Sequence, residues 1–158
     1  MATATVDQAA GLPIQEVARR TGFSEPTLRY YERIGLIGPV PRDPSSSHRR
    51  YAPETVDTLE TLACLRSTGM SIQDMRAYLD GVAEGPSAAP RMVELFAGHA
   101  QRLEDELAAL RVRHAYAAAK VALWQARADG SKAAEQKAAA EVLRVMRQLR
   151  GHDREGHR

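Results

Sequence analysis

The sequence predicts a mainly α-helical chain, in which a winged helix-turn-helix domain is followed by a long coiled-coil helix and a short C-terminal helix. Three observations predict this fold class. Residues 14–35 have the pattern of two short helices joined by a tight turn, and residues 36–51 have that of a small β-hairpin. Residues 93–124 carry an unbroken heptad repeat of mostly apolar side chains.

The residues at its turn predict the helix-turn-helix. Gly22 can adopt the positive φ that a sharp turn between helices needs, and Ser24 is a good N-cap for the second helix. Phe23 can fill the angle between the two helices. The second helix then presents Arg29 and Tyr30 to solvent, which is typical of a helix that contacts DNA. We therefore expect a DNA-binding domain here.

A small wing is predicted after the second helix. Residues 36–41 (LIGPVP) contain too many helix breakers for a helix and are apolar enough for a short edge strand. Residues 42–47 are rich in turn formers, and residues 49–51 (RRY) can form the return strand. Because neighbours on a strand point to opposite faces, only one of Arg49 and Arg50 needs to touch DNA.

The remaining elements are predicted to be helical. Pro53 begins a helix that runs to Thr68, and Ser71 caps another helix that Gly81 ends. The predicted segments are a flexible N-terminus at 1–11, the DNA-binding domain with its following helix pair at 12–82, a linker at 83–90, the dimerisation helix at 91–128, an amphipathic helix at 131–150 and a disordered tail at 151–158.

The predicted long helix exposes a stripe that needs a partner. Its positions alternate spacings of three and four, and those expected to form a dimer interface are Phe96, Leu103, Leu107, Leu110, His114, Val121 and Trp124. A small N-terminal domain cannot cover a stripe of this length, so we expect a homodimer. The stripe alone leaves parallel and antiparallel pairing open. For Trp124, packing within the stripe and lining of a ligand pocket are alternatives.

Charge is distributed unevenly along the chain. Residues 12–50 hold seven arginines against four acids, a net charge of +3. Residues 51–89 hold two arginines against six acids, a net charge of −4. The positive potential therefore falls on the helix-turn-helix and the wing, where a phosphate backbone would be met.

Other classes of protein find little support in the composition. The single cysteine, Cys64, excludes an intramolecular disulfide, argues against a thiolate metal site and favours a reducing cytoplasm. The N-terminus lacks the features of a signal peptide, and no apolar run approaches a membrane span, so no membrane partner is expected. We find no constellation of nucleophile, acid and base, and no phosphate-binding glycine loop. We therefore expect neither an enzyme nor a cofactor.

In the order of its motifs the chain resembles the MerR family of bacterial transcription regulators. The most specific motifs are TLRYYERIGLI at residues 27–37, the RRY of the wing and LRSTGMSI at residues 65–72. The resemblance implies a dimer with antiparallel long helices, with double-stranded promoter DNA and RNA polymerase as partners. It implies a cytoplasmic, nucleoid-associated regulator that bends and untwists a promoter spacer, under the control of a small-molecule or electrophile effector.

The resemblance also implies roles for individual residues. DNA contacts are expected from Arg19 on the first helix, from Ser24, Thr27, Arg29, Tyr30 and Arg33 on the second, and from His48, Arg49 and Arg50 on the wing. Most such contacts position a protein on the DNA backbone rather than specify bases. The chain departs from the family where Gly-Tyr usually precedes the wing arginine, because Ser47 and His48 stand there.

Two questions stay open at the level of sequence. Cys64 is followed by Leu-Arg and then by Gly-Met, as in a thiol-responsive branch of the family, so it is a candidate sensor. A small packing residue is the alternative, because no helical neighbour three or four positions away carries a positive charge that would favour a thiolate. For the whole chain, the alternative to a regulator is an architectural or recombination accessory DNA-binding protein without an effector.

Overall fold

A computed structural model describes residues 11–155 of the chain. The elements are β1 (Leu12–Pro13), α1 (Ile14–Thr21), α2 (Glu25–Arg33), β2 (Arg50–Tyr51), α3 (Pro53–Ser67), α4 (Ile72–Glu84), a 3-10 turn (Gly85–Ala88), α5 (Ala89–Ala128) and α6 (Lys132–Glu155). Apart from Gly11, the expected flexible N-terminus lies outside the described residues. The chain divides into two compact units, Met1–Leu95 and Phe96–Arg158. Within residues 11–155, no helix is long and apolar enough to cross a membrane.

The first unit is held together by one apolar core, to which helices α1 to α4 and strand β2 contribute. Its fully buried large side chains are Val17, Leu28, Tyr51, Leu59, Leu62, Met70 and Met75. Helical spacing of three and four places the apolar residues of each helix on its inner face. Burying one such side chain stabilises the folded state by roughly 1.5–3 kcal/mol. Burial also raises the pKa of the Tyr51 phenol, and the charge of Glu32 raises it further.

The turn between α1 and α2 has the predicted chemistry. Gly22 has φ 73° and its N–H donates to the carbonyl of Ala18 at 2.9 Å, which ends α1. The Ser24 hydroxyl accepts from the N–H of Thr27 at 3.2 Å and caps α2, so both predictions are confirmed. The ring of Phe23 packs edge-on against that of Tyr31, with the centroids 5.2 Å apart. This contact fills the angle between the helices.

The strand pairing of the wing differs from the prediction. Strand β2 pairs antiparallel with β1, with Leu12 opposite Tyr51. Residues 36–41 do not form a strand; Leu36, Ile37 and Val40 are instead buried in the core. The expected edge strand is therefore wrong, because these apolar side chains are used to cover the core rather than to build a sheet.

The hairpin itself is confined to residues 41–50. The N–H of Arg50 donates to the carbonyl of Pro41 at 2.8 Å, and the N–H of Asp43 donates to that of His48 at 2.8 Å. An isolated bridge between Arg42 and Arg49 lies between these two bonds. A narrow wing therefore exists where it was expected, with a shorter stem.

Helices α3 and α4 follow the predicted starts but not the predicted end. Helix α3 begins at Pro53, and the Ser71 hydroxyl accepts from the N–H of Asp74 at 3.0 Å, as a helix cap should. Gly81 does not end α4, which continues to Glu84. A Cβ at Gly81 would come within 2.5 Å of the Met92 sulfur, so the glycine allows α5 to pack closely rather than terminating a helix.

The predicted linker at 83–90 is ordered structure. It consists of the end of α4, the 3-10 turn and the first residues of α5. Gly85, with φ 80°, allows the chain to leave α4, and Ala88 is buried in the turn. Proline and glycine in this segment predicted a flexible connection, but here they form a tight corner.

In the second unit, α6 folds back against the C-terminal part of α5. The contact is built from Ala119 and Leu123 of α5 and from Ala138 and Val142 of α6, with small side chains that allow close approach. Gly130, with φ 68°, makes the turn between the helices. Helix α6 continues to Glu155, so residues 151–155 of the predicted disordered tail are helical; residues 156–158 lie outside the described part.

Replacing a core leucine should destabilise the first unit. Leu59→Ala removes a fully buried side chain, and we expect a loss of about 2–5 kcal/mol in the free energy of unfolding, measured by urea denaturation. The matched control is Leu143→Ala, which truncates an exposed leucine on α6 and should change stability by less than about 0.5 kcal/mol. Equal losses from both variants would contradict the assignment of the core.

Candidate DNA interface

The outer face of α2 presents charged and hydroxyl groups opposite its buried residues. Leu28 and Tyr31 point into the core, which leaves Arg29, Tyr30 and Arg33 exposed. The Arg33 guanidinium stacks over the Tyr30 ring, 5.3 Å from its centroid. The predicted recognition residues thus share one face, which can offer cations and a phenol hydroxyl to phosphate oxygens.

Several arginines of this face are paired with carboxylates on their own helix. Arg29 donates to Glu25 at 2.8 Å, one helical turn away. On α1, Arg19 makes two hydrogen bonds to Glu16, at 2.6 and 3.0 Å, and keeps most of its side chain in solvent. Exposed pairs of this kind contribute little free energy, so the guanidinium groups can exchange partners at low cost.

Two of the predicted contact residues have a structural role at the start of α2. The Ser24 and Thr27 hydroxyls lie 2.8 Å apart, and Ser24 also caps the helix. Their hydroxyls sit at the N-terminal end of α2, where free N–H groups favour negative charge. A DNA contact by Ser24 would share the oxygen that already stabilises the helix.

The tip of the wing is organised by one aspartate, which the sequence did not single out. Asp43 Oδ1 accepts from the Ser45 hydroxyl at 2.6 Å and from the N–H groups of Ser45 and Ser46 at 2.9 and 3.0 Å. These bonds hold the pKa of the Asp43 carboxyl well below its usual range. Ser47 adopts φ 57°, a left-handed conformation that suits the glycine of the family pattern better than a serine. His48 beside it is exposed.

The two wing arginines have different partners. Arg50 Nε lies 3.6 Å from Asp43 Oδ2, an ion pair too long for a hydrogen bond. Arg49 Nε instead donates to Glu32 Oε2 of α2 at 2.7 Å. Glu32 was missed at the sequence level, because its partner is 17 positions away and no local pattern indicates the pair.

The wing, β2, α1 and α2 enclose a cleft of about 480 Å³ between them. We call it the basic cleft; its polar and charged lining residues are Gln15, Arg29, Arg42, Ser47, His48, Arg49 and Arg50. It brings together predicted residues of α2 and the wing, and it adds Arg42, which the sequence-level set omitted. Four arginines and no carboxylate line it, so it is suited to an anion.

A second long-range contact fixes the other end of α2. Arg76 of α4 donates to the carbonyls of Ile34 and Gly35 at 2.9 and 3.1 Å. A cation at this position satisfies carbonyl groups that a helix C-terminus leaves free and complements its dipole. Arg76 therefore holds the end of the predicted recognition helix, although its distance in sequence gave no sign of this.

The predicted dimerisation residues form an exposed stripe on α5. Phe96, Leu103, Leu107, Leu110, Val121 and Trp124 are all exposed large hydrophobic residues, and His114 is exposed among them. Every residue of the segment 101–108 is exposed. Leu107, Leu110, Arg111 and His114 border a shallow, largely apolar depression. Within the described residues of its own chain, the stripe has no cover.

Cys64 lies on the outer side of α3. Its side chain is exposed, which agrees with the accessibility expected from its position. Its carbonyl accepts from the Ser67 hydroxyl at 2.7 Å. Residues 11–155 contain no group of three or more His, Cys, Asp or Glu side chains arranged to hold a metal ion. Whether the thiol acts as a sensor stays a prediction.

Comparison with known proteins agrees with this geometry. Residues 12–82 match the family described as MerR HTH family regulatory protein. An uncharacterized HTH-type transcriptional regulator of Haemophilus influenzae is 30% identical over 96 residues, which cover 61% of this chain and 70% of the relative. The chain belongs to the MerR family.

Two further MerR-type proteins extend the comparison. AdhR of Bacillus subtilis is 38% identical over 90 residues, which cover 57% of this chain and 64% of AdhR, slightly less than two thirds of its length. The crystal structure of HiNmlR, a MerR family regulator lacking the sensor domain and bound to promoter DNA, is similar with a TM-score of 0.62. That match is 30% identical and covers 78% of this chain and 94% of HiNmlR. This chain is thus a MerR-family transcription regulator.

The wing tip should resist acid to an unusual degree. Because the folded-state pKa of Asp43 is lowered from 3.8, its hydrogen bonds are intact above that value and are lost only as pH falls through the lowered pKa. In an NMR titration, the amide signals of Ser45 and Ser46 should shift with a midpoint below 3.8. Asp43→Asn is the control, in which this titration should vanish. A midpoint at or above 3.8 would contradict the assignment.

Proposed function

We propose that this chain is a homodimeric regulator that binds a pseudo-palindromic promoter spacer and acts by bending and untwisting the DNA in response to a signal. The observation that carries the proposal is the combination of an exposed recognition face on α2 with the adjoining basic cleft. Both belong to the first unit and both are suited to the phosphate backbone. HiNmlR, which is similar over most of this chain, is bound to promoter DNA.

The charges explain how the first unit would bind duplex DNA. Arg29 lies at the border between the α2 face and the basic cleft, so the helix and the wing can contact the duplex together. Arg33 and Arg42 make no ion pair with a carboxylate among the described residues, so they are available at once. Contacts to phosphate would supply most of the affinity, and base contacts from α2 would supply specificity.

Dimerisation is proposed from the exposed stripe on α5. A helix with its middle turns fully exposed gains little from its own chain, and isolated helices are marginal in water. Pairing the stripe with that of a second copy buries the leucines and fits the heptad spacing. We propose antiparallel pairing, following the family pattern. Two copies would then present two equal DNA-binding units to two half-sites of one operator.

Distortion of DNA and response to an effector are the furthest part of the proposal. Two recognition helices held at a separation fixed by the paired α5 helices can bind the duplex only if the spacer adapts to them. Bending and untwisting of the spacer would then bring the promoter elements into register for RNA polymerase. Footprinting on a bound promoter tests this, because protection between the two elements with enhanced cleavage at the centre is expected. Protection without sequence preference would favour an accessory protein.

Removing one recognition arginine should weaken DNA binding without affecting the fold. We expect Arg29→Ala to raise the Kd for a duplex selected by the wild-type protein from a random-sequence pool by about tenfold or more, because one charge-assisted contact is lost. Fluorescence anisotropy measures the change. Arg144→Ala is the control, because Arg144 is equally exposed and paired with a carboxylate of its own helix. Unchanged affinity of Arg29→Ala would refute the role of α2.

A charge in the exposed stripe should separate the dimer. Leu107→Asp places a carboxylate where the two copies would meet, and burying it unpaired costs more than the pairing gains. Sedimentation velocity should show a monomer for this variant and a dimer for the wild type. Leu143→Asp, an exposed leucine on α6 outside the stripe, should remain a dimer. A dimer that survives Leu107→Asp would remove the basis for pairing through α5.

A further inference from the structure

The carboxylate of Glu32 joins the recognition helix to the wing. It lies next to the last residue of α2, and its two oxygens accept hydrogen bonds from two points on the stem of the wing. Oε2 accepts from Arg49 Nε at 2.7 Å, and Oε1 accepts from the N–H of Val40 at 3.2 Å. Val40 precedes the hairpin and Arg49 lies on its return side. One side chain therefore fixes both sides of the wing to α2.

This pair is unlike the other ion pairs of the first unit. The side chains of Arg49 and Glu32 are only 21% and 19% exposed, whereas that of Arg29 is 51% exposed. The Glu32–Arg49 pair also joins two different elements rather than neighbouring turns of one helix. Partial burial reduces screening by solvent and ions, so the pair should hold a defined geometry.

The pair leaves part of the Arg49 guanidinium free. Arg49 uses Nε for Glu32, and within residues 11–155 its two terminal nitrogens make no hydrogen bond. Arg49 also lines the basic cleft. Because a guanidinium is planar, fixing Nε fixes the plane in which the remaining donors lie. Those donors suit the oxygens of a phosphate, which arginine binds with two parallel bonds.

We propose that Glu32 is a positioning residue, which orients Arg49 so that its terminal nitrogens bind a DNA phosphate in the basic cleft. The inference rests on the proposed DNA binding and adds a residue that does not itself touch DNA. Glu32 stabilises the complex because the wing and the recognition helix are already held in the arrangement that binds. Less conformational freedom is then lost on association.

Two effects of Glu32 on DNA binding have opposite signs. As a negative charge near phosphates, Glu32 should weaken binding, and its removal should tighten the complex. As a positioning residue it should strengthen binding, and its removal should weaken the complex. Glu32→Gln separates them, because it removes the charge at nearly constant shape. The amide has one acceptor and one donor group, so it cannot accept from both Arg49 and Val40.

The experiment measures binding of the full chain to the duplex that the wild type selects from a random-sequence pool, over a range of salt concentrations. The variants are Glu32→Gln, Arg49→Ala and the double variant. The control is Glu25→Gln, which removes another arginine-paired carboxylate of the same helix. Urea denaturation of each variant reports on the fold, so that DNA binding is compared only between folded proteins.

We expect Glu32→Gln to raise Kd by about tenfold, close to the effect of Arg49→Ala, because each loses one charge-assisted phosphate contact. The slope of log K against log salt should fall by about 0.9 in both variants. In the Arg49→Ala background, Glu32→Gln should cause no further weakening. Glu25→Gln should leave affinity unchanged or raise it, because Arg29 is released. A merely stabilising role for Glu32 would leave the salt slope unchanged.

Several results would overturn the inference. Equal or tighter binding by Glu32→Gln would show that its charge outweighs any positioning, and equal weakening with and without Arg49 would show that it acts elsewhere. If Glu32→Gln does not fold, Arg49→Lys decides, because a lysine held by Glu32 has no terminal nitrogens left for phosphate and should bind about tenfold more weakly. Wild-type affinity in Arg49→Lys contradicts the proposal. A wild-type protein that ignores duplex DNA would overturn the proposed function as well.

Discussion

The arrangement of the first unit depends on the burial of the inner face of α2. Leu28 and Tyr31 are held in the core, and this alone determines that Arg29, Tyr30 and Arg33 face outwards. The helix is then fixed at three further points: Ser24 caps its start, Arg76 binds the carbonyls that follow its end, and Glu32 binds the wing. A helix fixed at both ends and on its inner face can present side chains to DNA with little loss of freedom.

Charge in this unit is arranged as a set of pairs that can be exchanged. All four acids between residues 12 and 50 have an arginine partner: Glu16 with Arg19 and Arg20, Glu25 with Arg29, Glu32 with Arg49, and Asp43 with Arg50. The exposed pairs are weak in water, so their arginines can turn to phosphate at small cost. The partly buried pair of Glu32 and Arg49 is different, because the bond that it keeps is the one that directs its free nitrogens.

The sequence allowed prediction of those features whose causes are local. Gly22 and Ser24 act within a few residues of their own positions, so their roles could be read from residue type alone. The failures share the opposite cause. Residues 36–41 looked like a strand but are required by the core, and Gly81 looked like a helix end but accommodates Met92. Glu32 and Arg76 act 17 and 42 positions away, where periodicity and turn chemistry give no information.

Helix α5 shows why its own chain cannot satisfy it. On one face, Ala119 and Leu123 are buried against α6; on the other, Val121 and Trp124 remain 68% and 60% exposed. Residues 121 and 123 are separated by about 200° around the helix, so a single neighbouring helix cannot cover both faces. Helix α6 is already used on the first face. The second face needs a helix of matching spacing, and an identical stripe on another copy of the chain supplies one.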